Sequence, residues 1–478
     1  MELDLTTCEQ ARQTRDPRFD GRFYVGVKST GIYCRPICPA RLPKVENITF
    51  FRSAAAASEA GFRPCLRCRP EAAPGTPAWH GTSTTVTRAL RLIQEGALDQ
   101  SSVSALADRL GITSRHLGRL FRRHLGAPPL AVAKTRRLQF AKKLINETGL
   151  SMTEVAMAAG YGSVRRFNDH FRQVYGRPPS VLRAGAGPAA GDPLVIHLPY
   201  RAPYCWESIA AFLAKRAVPG VEWVSDGAWH RHIALDGQVG HIEVNDHPTE
   251  QALVCRLTLP STAALYSLVE RLRILFDLNA DPREIDGTLS RDPVLQRLQH
   301  EHPGIRVPGG WDGFELAVRA IVGQQISVIG ATTVMGRIAA RFGERSGDVT
   351  LFPTPRQLMR AAPTDLPMPQ ARARAIIELA GAVTGGTVNL DRWVEADSLR
   401  ESLIAIKGIG EWTAGYIALR VLSDPDAFLH SDLVLLKVAQ RLYGDRNAAA
   451  LLERSADWRP WRAYAGMHLW RAAAQLNG

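Results

Sequence analysis

One hydrophobic pattern occurs twice in this chain, 50 residues apart. Leu117, Phe121 and Leu125 recur as Phe167, Phe171 and Tyr175, a spacing of four that lines one face of a helix. Each copy ends in Gly-x-Pro-Pro and follows a shorter apolar-periodic stretch and a glycine turn: Val103 to Leu110 then Gly111, and Met152 to Ala159 then Gly160. Helix, glycine turn, helix is the pattern of a helix-turn-helix unit. The second helix of each unit is expected from about Ser114 to Leu125 and from about Ser163 to Tyr175, with Ser114 and Ser163 as N-caps. The stretch from Leu130 to Ile145 predicts a helix connecting the units.

The pattern changes character further on. Leu194–Leu198, His230–Leu235, His241–Val244 and Ala252–Leu259 are strand-like, the last three by alternation; Tyr204–Lys215 and Thr262–Phe276 predict helices. From about Pro293 to the end the pattern is helical, with breaks at Pro308-Gly-Gly310, Pro353-Thr-Pro355 and Pro367-Met-Pro369. Pro74–Gly81 and Ala184–Asp192 have linker composition. The chain is therefore expected to be multidomain, mainly α with α+β parts, with domains at 1–75, 82–183, 193–292 and 293–478. A length of 478 residues agrees with roughly three or four domains.

Charge sharpens this division. The net charge is +13, and residues 82–183 alone carry 17 Lys/Arg against 6 Asp/Glu. A basic block on a duplicated helix-turn-helix points to double-stranded DNA. Arg115, His116 and Arg119 on the first recognition helix, and Arg165, Arg166 and Asn168 on the second, are the candidate base readers. Two such helices on one rigid connector would reach successive major-groove segments roughly 34 Å apart. This stretch resembles the DNA-binding domain of the AraC-type regulators. No apolar run approaches the ~18 residues of a membrane span. The acidic start Met1-Glu-Leu-Asp lacks a secretory pattern, so a cytoplasmic location without membrane association is expected.

Four of the seven cysteines stand in two close pairs, Cys34-Arg-Pro-Ile-Cys38 and Cys65-Leu-Arg-Cys68. That spacing suits one tetrahedral zinc ion, and by itself leaves a structural knuckle, a redox switch and a reactive thiolate centre open. Cys8, Cys205 and Cys255 are isolated and read as small buried hydrophobes. The run Tyr24 to Arg41, with Asn47 to Arg52 and Ala60 to Cys68, resembles the N-terminal domain of the Ada adaptive-response proteins. The resemblance implies that all four thiolates hold Zn2+, and that Cys34 also accepts a methyl group from a methylphosphotriester in DNA. No Pro-Cys-His-Arg motif of the guanine O-methyl acceptor domain is present, so that reaction is not expected.

The richest C-terminal segment is Leu403 to Tyr416. Its Lys407-Gly408-Ile409-Gly410 turn would aim backbone N–H groups at one spot before a helix, a place for a DNA phosphate. Asp432 follows, and two readings compete: an N-cap for the helix beginning at Leu433, or a catalytic carboxylate facing a pocket. Hairpin and aspartate together resemble the helix-hairpin-helix DNA glycosylases, most closely the AlkA-type 3-methyladenine glycosylases, from about Asp192 onward. Phe314 to Ser327 and Trp458 to Tyr464 continue the likeness. It implies a TATA-binding-protein-like α+β subdomain before the helical domain. It also implies Asp432 as catalytic acid, Trp412, Tyr416 and Trp470 as pocket aromatics, and Gln325 where these enzymes carry an apolar wedge. A tryptophan at 412, where strand-cutting relatives have lysine, implies no Schiff-base lyase step. Leu433 replaces a pocket tyrosine, so substrate range is expected to differ.

The expected whole is an alkylation-damage protein: a sensor, a promoter-binding activator and a monofunctional N-glycosyl hydrolase acting on alkylated DNA. It would work as a monomer with RNA polymerase as a partner. The alternative is a regulator whose glycosylase half binds DNA without excising bases.

Overall fold

The computed structural model describes residues 4–74, 84–99, 101–183, 193–235, 238–445 and 447–476. The first linker, Pro74 apart, and the whole of the second lie outside the described residues. By contacts the chain divides into two compact units: 1–201 with 247–273 and 278–280, and 202–246 with 274–277 and 281–478.

The first unit opens with a four-stranded sheet: β1 (Tyr24–Val27), β2 (Ile32–Cys34), β3 (Ile48–Phe51) and β4 (Arg63–Pro64), in the order β3-β1-β2-β4. Alternation along β1 sends Val25 into a core with Cys8, Ala11, Phe23 and Ile48, and Tyr24 to the other face with Tyr33, Ala54 and Ala57. Cys8 and Cys255 are buried as expected, whereas Cys205 is only half-buried. Burial pushes the Cys8 thiol up to about 11, so it behaves as a hydrophobe rather than a nucleophile.

The repeat folds as two helix-turn-helix units, Val103–Arg109 with Ser114–Leu125 and Met152–Ala158 with Val164–Tyr175, joined by the helix Pro129–Glu147. Phe121 and Phe171 are fully buried. Gly126 (φ 74°) and Gly176 (φ 67°) end the two recognition helices in the left-handed conformation, where a side chain would be strained. Ser163 is the N-cap predicted, accepting from the Arg166 N–H. The first cap differs: Thr113 accepts from the His116 N–H at 3.2 Å, and Ser114 is already the first helical residue. Both residues have cap chemistry, and the choice turned on one position of register.

The helix Ala54–Glu59 packs on the connecting helix. Just before it, Ser53 Oγ donates to the Leu125 carbonyl at 2.7 Å and Arg52 to the Arg123 carbonyl at 2.9 Å. These are carbonyls of the last turn of the first recognition helix, which has no intrahelical partners for them.

Five strands follow: β5 (Leu194–Pro199), β6 (Glu222–Ser225), β7 (Ala228–Leu235), β8 (Gln238–His247) and β9 (Ala252–Thr258). β5 and β9 pair antiparallel in the first unit; in the second, β6–β7–β8 form an antiparallel meander. The strand β6 was not legible, because Glu-Trp-Val-Ser is too short to show a period. Helices dominate the rest of the second unit, around a core built on Gly313–Val322, Gln370–Thr384 and Glu411–Leu422. The almost wholly helical pattern expected here is interrupted by a small ladder between Arg345–Ser346 and Val349–Thr350. Arg231 on β7, 4% exposed at its side chain, pairs with Glu222 at 2.9 Å and with Glu315 of the central helix.

Glu147 ends the connecting helix against β5. Burial works to raise its pKa, but Lys143 at 2.8 Å and the His197 N–H and ring outweigh it, and the carboxyl falls from 4.5 to about 2. A lowered pKa stabilises the fold above the unfolded value and loses that stability as pH falls through the folded one. Glu147→Gln is therefore expected to cost on the order of 3 kcal/mol at neutral pH. In denaturant titrations the difference from wild type should shrink between about pH 4.5 and 2.

Candidate functional site

The cysteine pairs meet because β2 and β4 run parallel with Tyr33 opposite Pro64, so Cys34 and Cys65 leave the ends of adjacent strands together. Cys38 and Cys68 close the group, and all four Sγ atoms lie within 4.8 Å of one another. Ligands about 2.3 Å from one zinc ion would be about 3.8 Å apart, so the quartet fits one zinc ion. Hydrogen bonds with Cys34 lower Cys38 to about 7 and take Cys65 lower still, while Cys34 is raised by its bonds to Cys38 and Cys65. Crowded thiols ration protons in this way; a dication lets all four ionise together. Cys38, Cys65 and Cys68 are buried, and Cys34 is the more accessible.

Arg35 escaped the sequence reading. Its N–H points at Cys68 Sγ (3.3 Å), and its guanidinium joins the buried Asp20 carboxylate to the Cys68 carbonyl. A cation is thus fixed beside a site that becomes anionic.

On the recognition helices, Arg115, Arg119, Arg165 and Arg166 are exposed, and His116 and Asn168 half-exposed. Arg119 bonds the His116 ring at 2.8 Å, and Arg165 lies 3.9 Å from Asp169.

In the second unit the N-cap reading of Asp432 holds, and the same carboxylate meets two indoles. Its Oδ1 caps the helix Leu433–Tyr443, accepting from the Val434 and Leu435 N–H groups at 3.0 Å each. The same oxygen accepts from Trp470 Nε1 at 3.1 Å, and Oδ2 accepts from Trp412 Nε1 at 3.1 Å. Trp412 and Trp470 are half-buried and hold the carboxylate, so they are not ordinary core aromatics. Trp412 stacks on Tyr416, with centroids 5.5 Å apart and planes 11° from parallel. Burial tends to raise Tyr416, but Arg420, Arg216 and Arg319 prevail and its pKa is lowered. Arg420 donates to the Tyr416 hydroxyl at 2.9 Å and to the Pro308 and Gly309 carbonyls. Asp426, in the loop before Asp432, pairs with Arg459 and Arg462 at the entry to the helix that carries Trp470. Neither Arg420 nor Asp426 gave a sequence signal beyond being charged residues in apolar surroundings.

Gly408 takes φ +98° in the hairpin, a conformation open to glycine. Gly410 caps the next helix without a side chain, which leaves first-turn N–H groups for an anion. Lys407 is exposed, but Ile409 is 3% exposed and packs into the core. Any share of Ile409 in binding is therefore through its backbone. Gln325 is exposed at φ +56° between two helices, flanked by the exposed apolar residues Ile326, Val328 and Ile329. Its neighbour Gln324, which the sequence did not single out, ties this turn to the hairpin through the Gly408 carbonyl (2.9 Å) and Thr413 Oγ1 (3.1 Å). Leu433 is 73% exposed beside Asp432.

A four-thiolate module, a double helix-turn-helix and a carboxylate beside a helix-hairpin-helix define a DNA-repair regulator joined to a glycosylase. Known proteins agree module by module. Family models match in series: the metal binding domain of Ada on residues 7–71, a helix-turn-helix domain on 106–185, the AlkA N-terminal domain on 195–312, and the HhH-GPD superfamily base excision DNA repair proteins on 318–462. The probable bifunctional transcriptional activator/DNA repair enzyme AlkA of Mycobacterium tuberculosis is 42% identical, covering 98% of this chain and 97% of that protein. The chain belongs to this family of bifunctional activator and repair proteins. The Escherichia coli DNA-3-methyladenine glycosylase 2 is 35% identical over 57% of this chain and 95% of its own length. The Escherichia coli Ada enzyme is 37% identical over 32% of this chain and 41% of its own. The solved 3-methyladenine DNA glycosylase of Archaeoglobus fulgidus shares the fold, with TM-score 0.52 at 23% identity over 58% of this chain and 98% of that one.

Replacing Trp470 or Trp412 by phenylalanine keeps a ring and removes one N–H from Asp432. Each change is expected to slow single-turnover base release from methylated duplex roughly 10-fold to 100-fold. Duplex affinity, measured by anisotropy, should change little.

Proposed function

We propose that this chain senses methylated DNA phosphates at Cys34, binds promoter DNA through its paired recognition helices, and hydrolyses the glycosidic bond of alkylated bases at Asp432. The observation that carries the reading is the Asp432 carboxylate, fixed by N–H donors on both oxygens at the mouth of a helix-hairpin-helix.

A base cannot be reached in the stack, so the target nucleotide is flipped out. N3 or N7 alkylation makes a purine cationic and a better leaving group, and the Trp412–Tyr416 stack offers it a π surface. As the C–N bond breaks, positive charge grows on the sugar and the Asp432 carboxylate faces it. Water then adds to the sugar, and no lysine at position 412 competes for it. The open N–H groups after Gly410, with Lys407 beside them, would hold a strand phosphate near the flipped base. Gln325, on an exposed turn linked to that hairpin through Gln324, would fill the vacated place in the stack. A helix cap needs only the Val434 and Leu435 N–H groups; the two further indole donors on the same carboxylate favour excision over DNA binding alone.

Zinc, when bound, keeps Cys34 a thiolate at neutral pH. The Cys34 sulfur attacks the methyl carbon of a methylphosphotriester: an S–C bond forms, the C–O bond breaks, and the phosphodiester leaves as an anion. The site goes from −2 to −1, which removes repulsion toward DNA, and the chain acts once. Cys38, Cys65 and Cys68 hold the metal. Recruitment of RNA polymerase, action as a monomer and a cytoplasmic location complete the proposal. Among the described residues no helix is long and apolar enough to cross a membrane.

Asp432→Asn is expected to lower release of 3-methyladenine by about 100-fold or more with duplex binding retained; normal release would remove Asp432 from the reaction. Duplex carrying methylphosphotriesters should leave one methyl on the Cys34 peptide by mass spectrometry. It should tighten promoter binding more at low salt than at high salt. Disulfide formation without transfer would favour a redox switch instead.

A further inference from the structure

A histidine cluster on the strand meander takes no part in the chemistry above. His230 and His232 are two apart on β7 and share one face; His241 on β8 is the direct cross-strand partner of His232. Trp223 on β6 pairs with His230 and packs beside all three rings. The His230 and His241 ring centroids are 5.5 Å apart and those of His232 and His241 5.6 Å apart. Trp223 stacks on His230 at 5.0 Å, with planes 5° from parallel.

Three ring nitrogens in this cluster, His230 Nδ1, His232 Nδ1 and His241 Nε2, are buried without a hydrogen-bond partner. Leaving a buried nitrogen without a partner is unfavourable, and three on one patch call for a common partner. Water would satisfy one or two of them. A cation satisfies all three at once, since a neutral imidazole offers a lone pair.

We propose that His230, His232 and His241 form a second metal site for a zinc-type divalent ion, separate from the cysteine quartet. The pattern His-x-His on one strand with a third histidine directly opposite on the next places three imidazoles on one side of a rigid sheet. Imidazoles bound about 2.0–2.1 Å from one tetrahedral ion have their ring centres about 5 Å apart, close to the spacings of His241 from His230 and from His232. Among the described residues only the cysteine quartet has its ligand atoms already within 4.8 Å of one another. The histidine rings stand stacked instead. Rotation about Cβ–Cγ turns their nitrogens inward and leaves the centroids in place, because the centroid lies on that axis. Imidazole ligands suit zinc, nickel and copper; hard oxygen-seeking ions such as magnesium are excluded. Three ligands leave a fourth position for water or Glu243, the cross-strand partner of His230. The ion would pin β7 to β8.

The test uses the full chain loaded with one equivalent of zinc, freed of excess and titrated calorimetrically with zinc chloride. A second equivalent is expected. His232→Asn and His241→Asn should each weaken it at least about tenfold, a change of about 1.4 kcal/mol, while the first equivalent stays. Nickel(II) should quench a fraction of tryptophan emission that is missing in Trp223→Phe. This readout needs no histidine variant, should either fail to fold. Wild type saturating at one zinc with no nickel quenching, or a second equivalent that survives both histidine changes, overturns the site.

Discussion

The helical half of the second unit is tied together at one buried carboxylate. Asp432 is 8% exposed, and burying a charge that poorly hydrated is unfavourable unless hydrogen bonds replace the lost water. The fold supplies them from separate places: the first turn of its own helix, Trp412 on the helix after the hairpin, and Trp470 on the last helix. Three helices distant in sequence must pack correctly before the carboxylate is satisfied. The supports follow: Arg420 ties Tyr416 to the Pro308–Gly309 turn, Gln324 ties the hairpin to the Gln325 turn, and Asp426 ties the loop before Asp432 to Arg459 and Arg462.

The zinc module solves the converse problem. Four thiolates repel one another and any phosphate, so a dication makes the site possible and its residual negative charge makes it responsive. The module is not merely tethered to the DNA reader. Ser53 and Arg52 complete the last turn of the first recognition helix, and Glu71 accepts from Asn146 on the connecting helix. The cysteine quartet and the two helix-turn-helix units therefore belong to one compact unit.

Much of this was legible in the sequence. The duplicated pattern at Phe121 and Phe171 fixed the helix-turn-helix pair because buried helical faces are periodic. The cysteine spacing gave the metal site because chelation is a local constraint. What stayed hidden is non-local. No period marks β6 as a strand, and Thr113 and Ser114 are equally good caps until the register is known. Asp432 looked like a choice between cap and catalyst. One oxygen caps while both meet indoles from 20 residues before and 38 after, a convergence that only tertiary packing reveals. Ile409 shows the reverse, since a residue picked from the hairpin motif puts its side chain into the core.

The most direct test of the whole account is one incubation of the full zinc-loaded chain with methylated duplex DNA, scored for free bases and for methylated protein. The account predicts free 3-methyladenine together with a single methyl on Cys34, with Asp432→Asn abolishing the first and sparing the second. Release that persists in Asp432→Asn, or methyl appearing on Cys38, Cys65 or Cys68 in place of Cys34, would contradict it.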